Sequence, residues 1–186
     1  MNYLVIFNTI IVLVGFITIN IALFTQDWVL VDQTNVGQVG QGLIPYSPGS
    51  PYQGFGIICI LMYVAYTLYW IATFLIILAN IKVMTRNAEM KCVKVPYITS
   101  SIIFLLVAAL IIAAFVMSCQ KVSPYSRRYY KDRMPQPFFS EPLGYSAYVG
   151  LISAAVSLAT GGFCLYTVIR GSKNDEVSTV GGQDWK

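Results

Sequence analysis

Four long apolar runs alternate with polar segments along the chain. They extend from about Leu4 to Thr25, Gly56 to Ile81, Tyr97 to Ser118 and Gly144 to Ile169, and none contains Asp, Glu, Lys, Arg or His. At a rise of 1.5 Å per residue, even the shortest of these runs makes a helix of about 33 Å, enough to cross the hydrocarbon core of a bilayer. The pattern therefore predicts four transmembrane helices.

The polar segment between the first two runs, residues 26–55, has two different halves. Its first half is typical of β-strands, with Val29–Val31 followed by Val36 and Val39 among Gly, Gln and Asn. Its second half, Pro45–Gly54, is rich in the Pro and Gly of turns. We expect a small extramembrane sheet at this point, outside the spans.

Composition identifies the class and removes several functions. Charged residues make up only 11% and the mean hydropathy is +0.65, whereas a soluble protein of this size would carry about a quarter charged residues. Histidine is absent and the 4 Cys are scattered singly, so we expect no metal site, no cofactor and no imidazole-dependent catalysis. No span holds the buried charge of a pump or proton relay either. These features favour a protein that acts by binding.

The second run carries aromatic residues at three- and four-residue steps, namely Tyr63, Tyr66, Trp70 and Phe74. This spacing places them on one helix face. Since a Tyr hydroxyl inside a bilayer needs a partner, we expect this face to pack on protein. Packing within the bundle is the simpler interpretation, and a lipid or a partner helix is the alternative.

The fourth run carries a small-residue stripe, formed by Ser146, Gly150, Ala154, Ser157 and Gly161. Small side chains at this spacing let two membrane helices approach closely. We predict that the stripe is buried against another helix.

The segment at 119–143 joins the third and fourth runs and combines basic with aromatic residues. Arg127 and Arg128 lie beside Tyr125, Tyr129 and Tyr130. A nucleic-acid site has such a composition, but the orientation below places the segment outside the cytosol, so we expect no nucleic-acid partner. Lipid headgroups, an acidic partner or a sulfated glycan are better candidates, and a simply solvated loop is the plainest interpretation.

The distribution of Lys and Arg predicts the orientation. With four spans, one side of the membrane carries 7 basic residues, in the 82–94 loop and the tail, and the other carries 5, all in 119–143. The absence of Lys and Arg from 26–55 strengthens the assignment of the side with 7 basic residues to the cytosol. We therefore predict a multi-pass plasma-membrane protein with both termini cytosolic, comprising one four-span domain, 1–170, and a flexible cytosolic tail, 171–186.

The chain resembles the claudin superfamily, which includes claudins, peripheral myelin and epithelial membrane proteins, and regulatory subunits of channels and receptors. Trp28 directly follows the first span, much as a family Trp opens the first loop's sheet, and Gly42-Leu43 is similar to the start of the family's G-L-W-x-x-C signature. Ile44 and Ser47 stand where that signature has Trp and Cys, so the family's loop disulfide cannot form.

The resemblance implies an all-α membrane fold, namely a left-handed four-helix transmembrane bundle with a small extracellular antiparallel β-sheet. One strand of that sheet would come from 119–143. Because no disulfide holds the first loop, we predict that Trp28 packs between sheet and bundle near Leu43 and anchors the loop.

Two functions follow from the resemblance. The first is cell–cell adhesion or junction structure through the outer loops, by self-association of the sheets. The alternative is an accessory subunit of an ion channel or receptor, bound through the aromatic face of the second span or the small-residue stripe of the fourth. In either case the partners are the lipid bilayer and another membrane protein, and no enzymatic activity is expected.

Overall fold

The structure is a computed structural model that describes residues 2–25, 28–33, 37–43, 55–86, 90–131 and 143–180. In these ranges the chain forms helices α1 (Asn2–Phe24), α2 (Phe55–Arg86), α3 (Met90–Lys131) and α4 (Tyr145–Val180), with strands β1 (Val29–Gln33) and β2 (Gly37–Gln41) between α1 and α2. Each helix is long and apolar enough to cross a membrane. The four predicted spans are therefore confirmed.

The helices form a closed antiparallel bundle in which chain neighbours pack side by side. α1 packs against α2 and α4, and α3 packs against the other faces of α2 and α4. The largest buried side chains of the interior include Tyr69, Tyr97, Phe104 and Ile19. The bundle thus has an aromatic centre, while aliphatic side chains cover most of its outer surface.

The strands β1 and β2 form an antiparallel hairpin at the end of the bundle where α1 ends and α4 begins, here called the hairpin end. In the register of the hairpin, Val29 lies opposite Gln41 and Val31 lies opposite Val39. The turn-rich stretch predicted at Pro45–Gly54 lies outside the described residues, apart from its neighbour Phe55, which begins α2.

The helices are longer than the apolar runs predicted. α2 continues to Arg86 and α3 begins at Met90. Most of the loop expected at 82–94 is therefore helical, and Pro96 lies within α3. Adding a residue to an existing helix is far easier than nucleating one, and the Lys, Arg and Met residues that flank these spans are good helix formers. Apolar length therefore underestimates helix length at this end.

The described part of the segment 119–143, which was expected to supply a strand, is helical except at Leu143, and residues 132–142 lie outside the described ranges. α3 continues through this segment to Lys131, and beyond it Leu143 forms a single bridge residue and not a strand. The same propagation of a stable helix explains the difference. The fourth helix also extends beyond its predicted span, since α4 continues to Val180. The flexibility of the 171–186 tail stays a prediction.

Candidate functional site: the anchored hairpin

Trp28 connects three parts of the hairpin end. Its side chain is fully buried, and its indole Nε1 donates a hydrogen bond to the carbonyl oxygen of Ala22 in α1. Its own carbonyl oxygen accepts a hydrogen bond of 3.0 Å from the backbone N–H of Gly144, at the start of α4. The residue that opens the hairpin is thus bonded to the first and the last helices of the bundle.

The end of α1 explains why an indole lies here. The last four carbonyl groups of a helix have no partner within it. Ala22 is among them in α1, and Trp28 folds back six positions to satisfy it. Thr25 serves the neighbouring carbonyl, since its Oγ1 and its N–H both lie within hydrogen-bonding distance of the Ile21 oxygen, at 2.6 and 3.1 Å. Inside a membrane boundary such bonds replace those that water would supply.

Small residues of α4 make room for the indole. A Cβ atom at Gly150 would lie 3.4 Å from two ring carbons of Trp28 and 3.8 Å from the Ala22 Cβ. One turn earlier, the Ser146 and Thr25 hydroxyl oxygens are 2.6 Å apart. The upper part of the small-residue stripe therefore contacts α1 and Trp28 together.

The lower part of the stripe contacts α3. At Gly161 a Cβ would lie 3.3 Å from the backbone oxygen of Ser101, and the Ser101 hydroxyl donates to the Gly161 oxygen at 2.7 Å. Ala154 and Ser157, between these two regions, are buried as well. The structure thus places all five residues of the stripe in the bundle interior.

The hairpin is fixed at both of its ends. Leu43, two residues after β2, is fully buried and belongs to the same apolar core as Trp28 and Phe55, while Gly42 is half-buried. The hairpin residues 29–41 are therefore bracketed by two buried side chains. This arrangement can hold a loop in one position without a disulfide.

The aromatic residues predicted to form an inward face of α2 lie mostly on its outer surface. Tyr63, Trp70 and Phe74 are 38%, 51% and 61% exposed. Among the described residues, this face contacts α1 at one edge. Trp70 meets Phe16 edge to face at 4.8 Å, and the Tyr66 hydroxyl donates a hydrogen bond to the Asn20 side chain at 3.1 Å. The expectation of packing within the bundle is therefore wrong for Tyr63 and Phe74.

The aromatic residue that does fill the interior of α2 is Tyr69, which the spacing argument missed. Its ring packs edge to face on Phe104 at 5.0 Å, and its hydroxyl points to the Val12 oxygen at 3.4 Å. Gly15 leaves the space for this hydroxyl, because a Cβ there would lie 2.0 Å from it. Gly15 itself was the available signal, because a Gly inside a membrane span lets a neighbouring helix approach closely.

A polar network at the opposite end of the bundle was also missed. Asn80 donates to the Thr9 hydroxyl at 2.7 Å and accepts from the Tyr97 hydroxyl, which joins α1, α2 and α3. Asn8 and Cys164 face each other at 3.7 Å and join α1 to α4. Asn8 and Asn20, two polar residues of the first span, thus both make hydrogen bonds to neighbouring helices.

The remaining candidate residues make no described site. Arg127 and Arg128 lie in the continuation of α3 beyond its membrane span, and their side chains lie outside the described ones. Cys59, Cys119 and Cys164 are free thiols, and no disulfide joins Cys59 to Cys119. Within the described ranges, no group of three His, Cys, Asp or Glu could hold a metal ion.

The fold and the anchored hairpin define a class of protein: a four-span membrane bundle that carries a short β-hairpin after its first helix. Residues 1–177 match the family described as tight junction protein, claudin-like. The chain therefore belongs to the claudin-like family, as its Trp28 and Gly42-Leu43 motifs suggested. Among curated proteins, none matches the sequence.

Proposed function

We propose that this protein acts at cell–cell contacts, as an adhesive or junctional component of the plasma membrane, through the loops at its hairpin end. The observation that carries the proposal is the bracketing of residues 29–41 by the buried side chains of Trp28 and Leu43. Membership in a family described by its tight junction proteins supports it.

The anchoring matters because a free hairpin binds poorly. A two-stranded hairpin is marginally stable alone, and a partner that has to order it first loses binding free energy to conformational entropy. The burial of Trp28 and Leu43 orders the hairpin within the monomer, so a partner loses less binding free energy to conformational entropy. In the part of the chain that the structure describes, the sheet consists of β1 and β2. A strand edge offers backbone N–H and C=O groups to another strand. Side-by-side association of hairpins follows as the mode of contact.

The proposed orientation places the hairpin end outside the cell and both termini in the cytosol. Residues 26–55 lack Lys and Arg, whereas Lys82, Lys94 and Arg170 are exposed at the opposite end of the bundle. Basic residues beside spans favour the cytosolic side. The outer position of the hairpin is what an adhesive role requires.

A cell-mixing experiment tests the role. The fluorescently tagged full chain is expressed in cells without junctions, and these are mixed with cells that lack it. We expect enrichment at contacts between two expressing cells and none at contacts with a non-expressing cell. In the matched variant, residues 29–41 are replaced by a Gly/Ser segment of equal length, with Trp28 and Leu43 retained.

The variant should reach the surface and lose the enrichment, because only the strand edges have been removed. Uniform distribution of the parent along the membrane would contradict the proposal. Equal enrichment of the Gly/Ser variant would contradict the role of the hairpin. Adhesion would then have to be assigned to the 119–143 segment.

The alternative is an accessory subunit of an ion channel or receptor, and the outer surface of α2 favours it. Trp70 and Phe74 are more than half exposed, and aromatic side chains supply large contact areas at interfaces. Purification in mild detergent separates the two functions. Stoichiometric recovery of a channel or receptor with the parent would support the accessory role. The Trp70→Ala/Phe74→Ala variant should lose this partner, and the Gly/Ser hairpin variant should keep it.

A further inference from the structure

The end of the bundle opposite the hairpin carries three exposed cations on three helices. Lys82 lies near the end of α2, Lys94 near the start of α3, and Arg170 at the end of the membrane span of α4. We refer to these three residues as the cation ring. α1 adds no base at this end, where its exposed Tyr3 lies.

The polar network provides a reference level along the bundle axis for the cation ring. Asn80, Tyr97 and Cys164 are buried members of that network on α2, α3 and α4. Counted along each helix, Lys82 follows Asn80 by about 3 Å, Lys94 precedes Tyr97 by about 4.5 Å and Arg170 follows Cys164 by about 9 Å. The backbone of the three residues therefore lies about 3–9 Å along the helices beyond residues whose hydrogen bonds join all four helices.

The cation ring has no acidic partner among the described side chains. Asp and Glu are absent from the sequence between residues 33 and 88 and between 90 and 131. The one described polar contact of the ring is with a neutral group, since Arg170 donates to the Tyr166 hydroxyl at 3.4 Å. Over the whole end, 7 basic residues face 4 acidic ones, so an excess of positive charge remains.

The position of the ring identifies its partner. The candidate membrane spans end at Met84 in α2, begin at Val93 in α3 and end at Arg170 in α4. Each ring member thus lies within two positions of a span end, where the spans leave the hydrocarbon. Exposed Tyr166, on the same face as Arg170, is typical of the headgroup level. Phosphate groups of the adjoining leaflet lie at this level, and basic groups between membrane helices bind them.

We propose that Lys82, Lys94 and Arg170 bind the headgroups of anionic phospholipids and so hold the bundle at a defined depth in an anionic leaflet. The bundle is suited to this, because the packing of its helices sets the backbone positions of the three residues before the lipid arrives. The proposal does not depend on whether the hairpin end is adhesive.

The test uses the purified full chain in a nonionic detergent with dioctanoyl phosphatidylserine or dioctanoyl phosphatidylcholine. Lipid binding is measured by native mass spectrometry, and the melting temperature is measured in parallel. Each cation near an anionic surface contributes about a fivefold increase in affinity. The K82Q/K94Q/R170Q variant should therefore bind phosphatidylserine roughly a hundredfold more weakly and lose the lipid-induced rise in melting temperature.

Two matched variants separate the ring from net charge and from misfolding. K121Q/K131Q/R133Q removes the same charge from the other end, outside the Arg127/Arg128 pair, and should bind like the parent. K82R/K94R/R170K keeps the ring's charge and should also bind. Inorganic phosphate at the same concentration should have no effect, since it lacks the acyl chains that hold a phospholipid in the detergent micelle around the spans. Equal binding of phosphatidylcholine, equal protection by phosphate, or equal loss in the hairpin-end variant would overturn the proposal.

Discussion

Replacing Trp28 tests the anchor of the hairpin most directly. In Trp28→Ala the bundle loses a fully buried indole together with the donor that satisfies the Ala22 carbonyl. Truncation of a buried Trp typically costs about 3–5 kcal/mol of stability. For a chain of this length, each kcal/mol lowers the melting temperature by about 2–4 °C, so we expect a decrease of about 6–20 °C.

Trp28→Phe separates the hydrogen bond from the packing. It keeps most of the ring volume against Gly150 but leaves the Ala22 oxygen without its donor. An unsatisfied buried acceptor costs about 1–3 kcal/mol, so this variant should melt between the parent and Trp28→Ala.

The assay uses the buried thiols of the chain. Cys59 and Cys164 are buried and become accessible to a thiol-reactive dye on unfolding, whereas Cys119 is exposed from the start. A Cys92→Ser/Cys119→Ser background therefore gives a low baseline, and heating in detergent reports the loss of the bundle interior.

Trp70→Ala is the control, because that side chain is 51% exposed and contacts only the edge of Phe16 among described rings. It should melt close to the parent, within about the 0.5–1.5 kcal/mol of one aromatic pair. If Trp28→Ala melts no lower than Trp70→Ala, the reasoning fails, and Trp28 belongs to the headgroup belt instead of the core.

Three further predictions concern close packing and orientation. Gly161→Leu should destabilise the bundle by several °C or prevent its assembly, because a Cβ would already lie 3.3 Å from the backbone of α3, whereas Gly162→Leu should melt like the parent since nothing lies within 4 Å of its Cβ position. Gly15→Ala should lower the melting temperature, since its Cβ would overlap the Tyr69 hydroxyl at 2.0 Å, and Tyr69→Phe should restore part of the loss. An epitope tag after residue 186 should be inaccessible to antibody on intact cells and accessible after permeabilisation, and labelling of intact cells would reverse the proposed orientation.

The sequence by itself determined the number of spans, their approximate limits and the special position of Trp28. Charge is excluded from the hydrocarbon core, so uncharged runs of sufficient length identify the spans. Small residues at three- and four-residue steps identified the face of α4 that lies inside, because close helix approach requires small side chains. Trp28 and Leu43 were found by motif, and both lie buried.

Only the tertiary structure decided which face of α2 points inward. In a soluble helix the solvent side is polar, so the pattern separates inside from outside. In a membrane both sides are apolar, because lipid chains are as apolar as the core. Spacing alone therefore could not distinguish Tyr69, which is fully buried, from Trp70, which is half exposed.

The sequence alone also could not predict the polar contacts that join the helices. Asn8, Asn80 and Tyr97 are polar residues in apolar runs, where each needs a hydrogen-bond partner. Their pairing with Cys164, Thr9 and one another joins residues as many as 156 positions apart. No local pattern encodes such a pairing, since it depends on how the four helices are rotated and how deep each lies. The packing of the bundle fixes both.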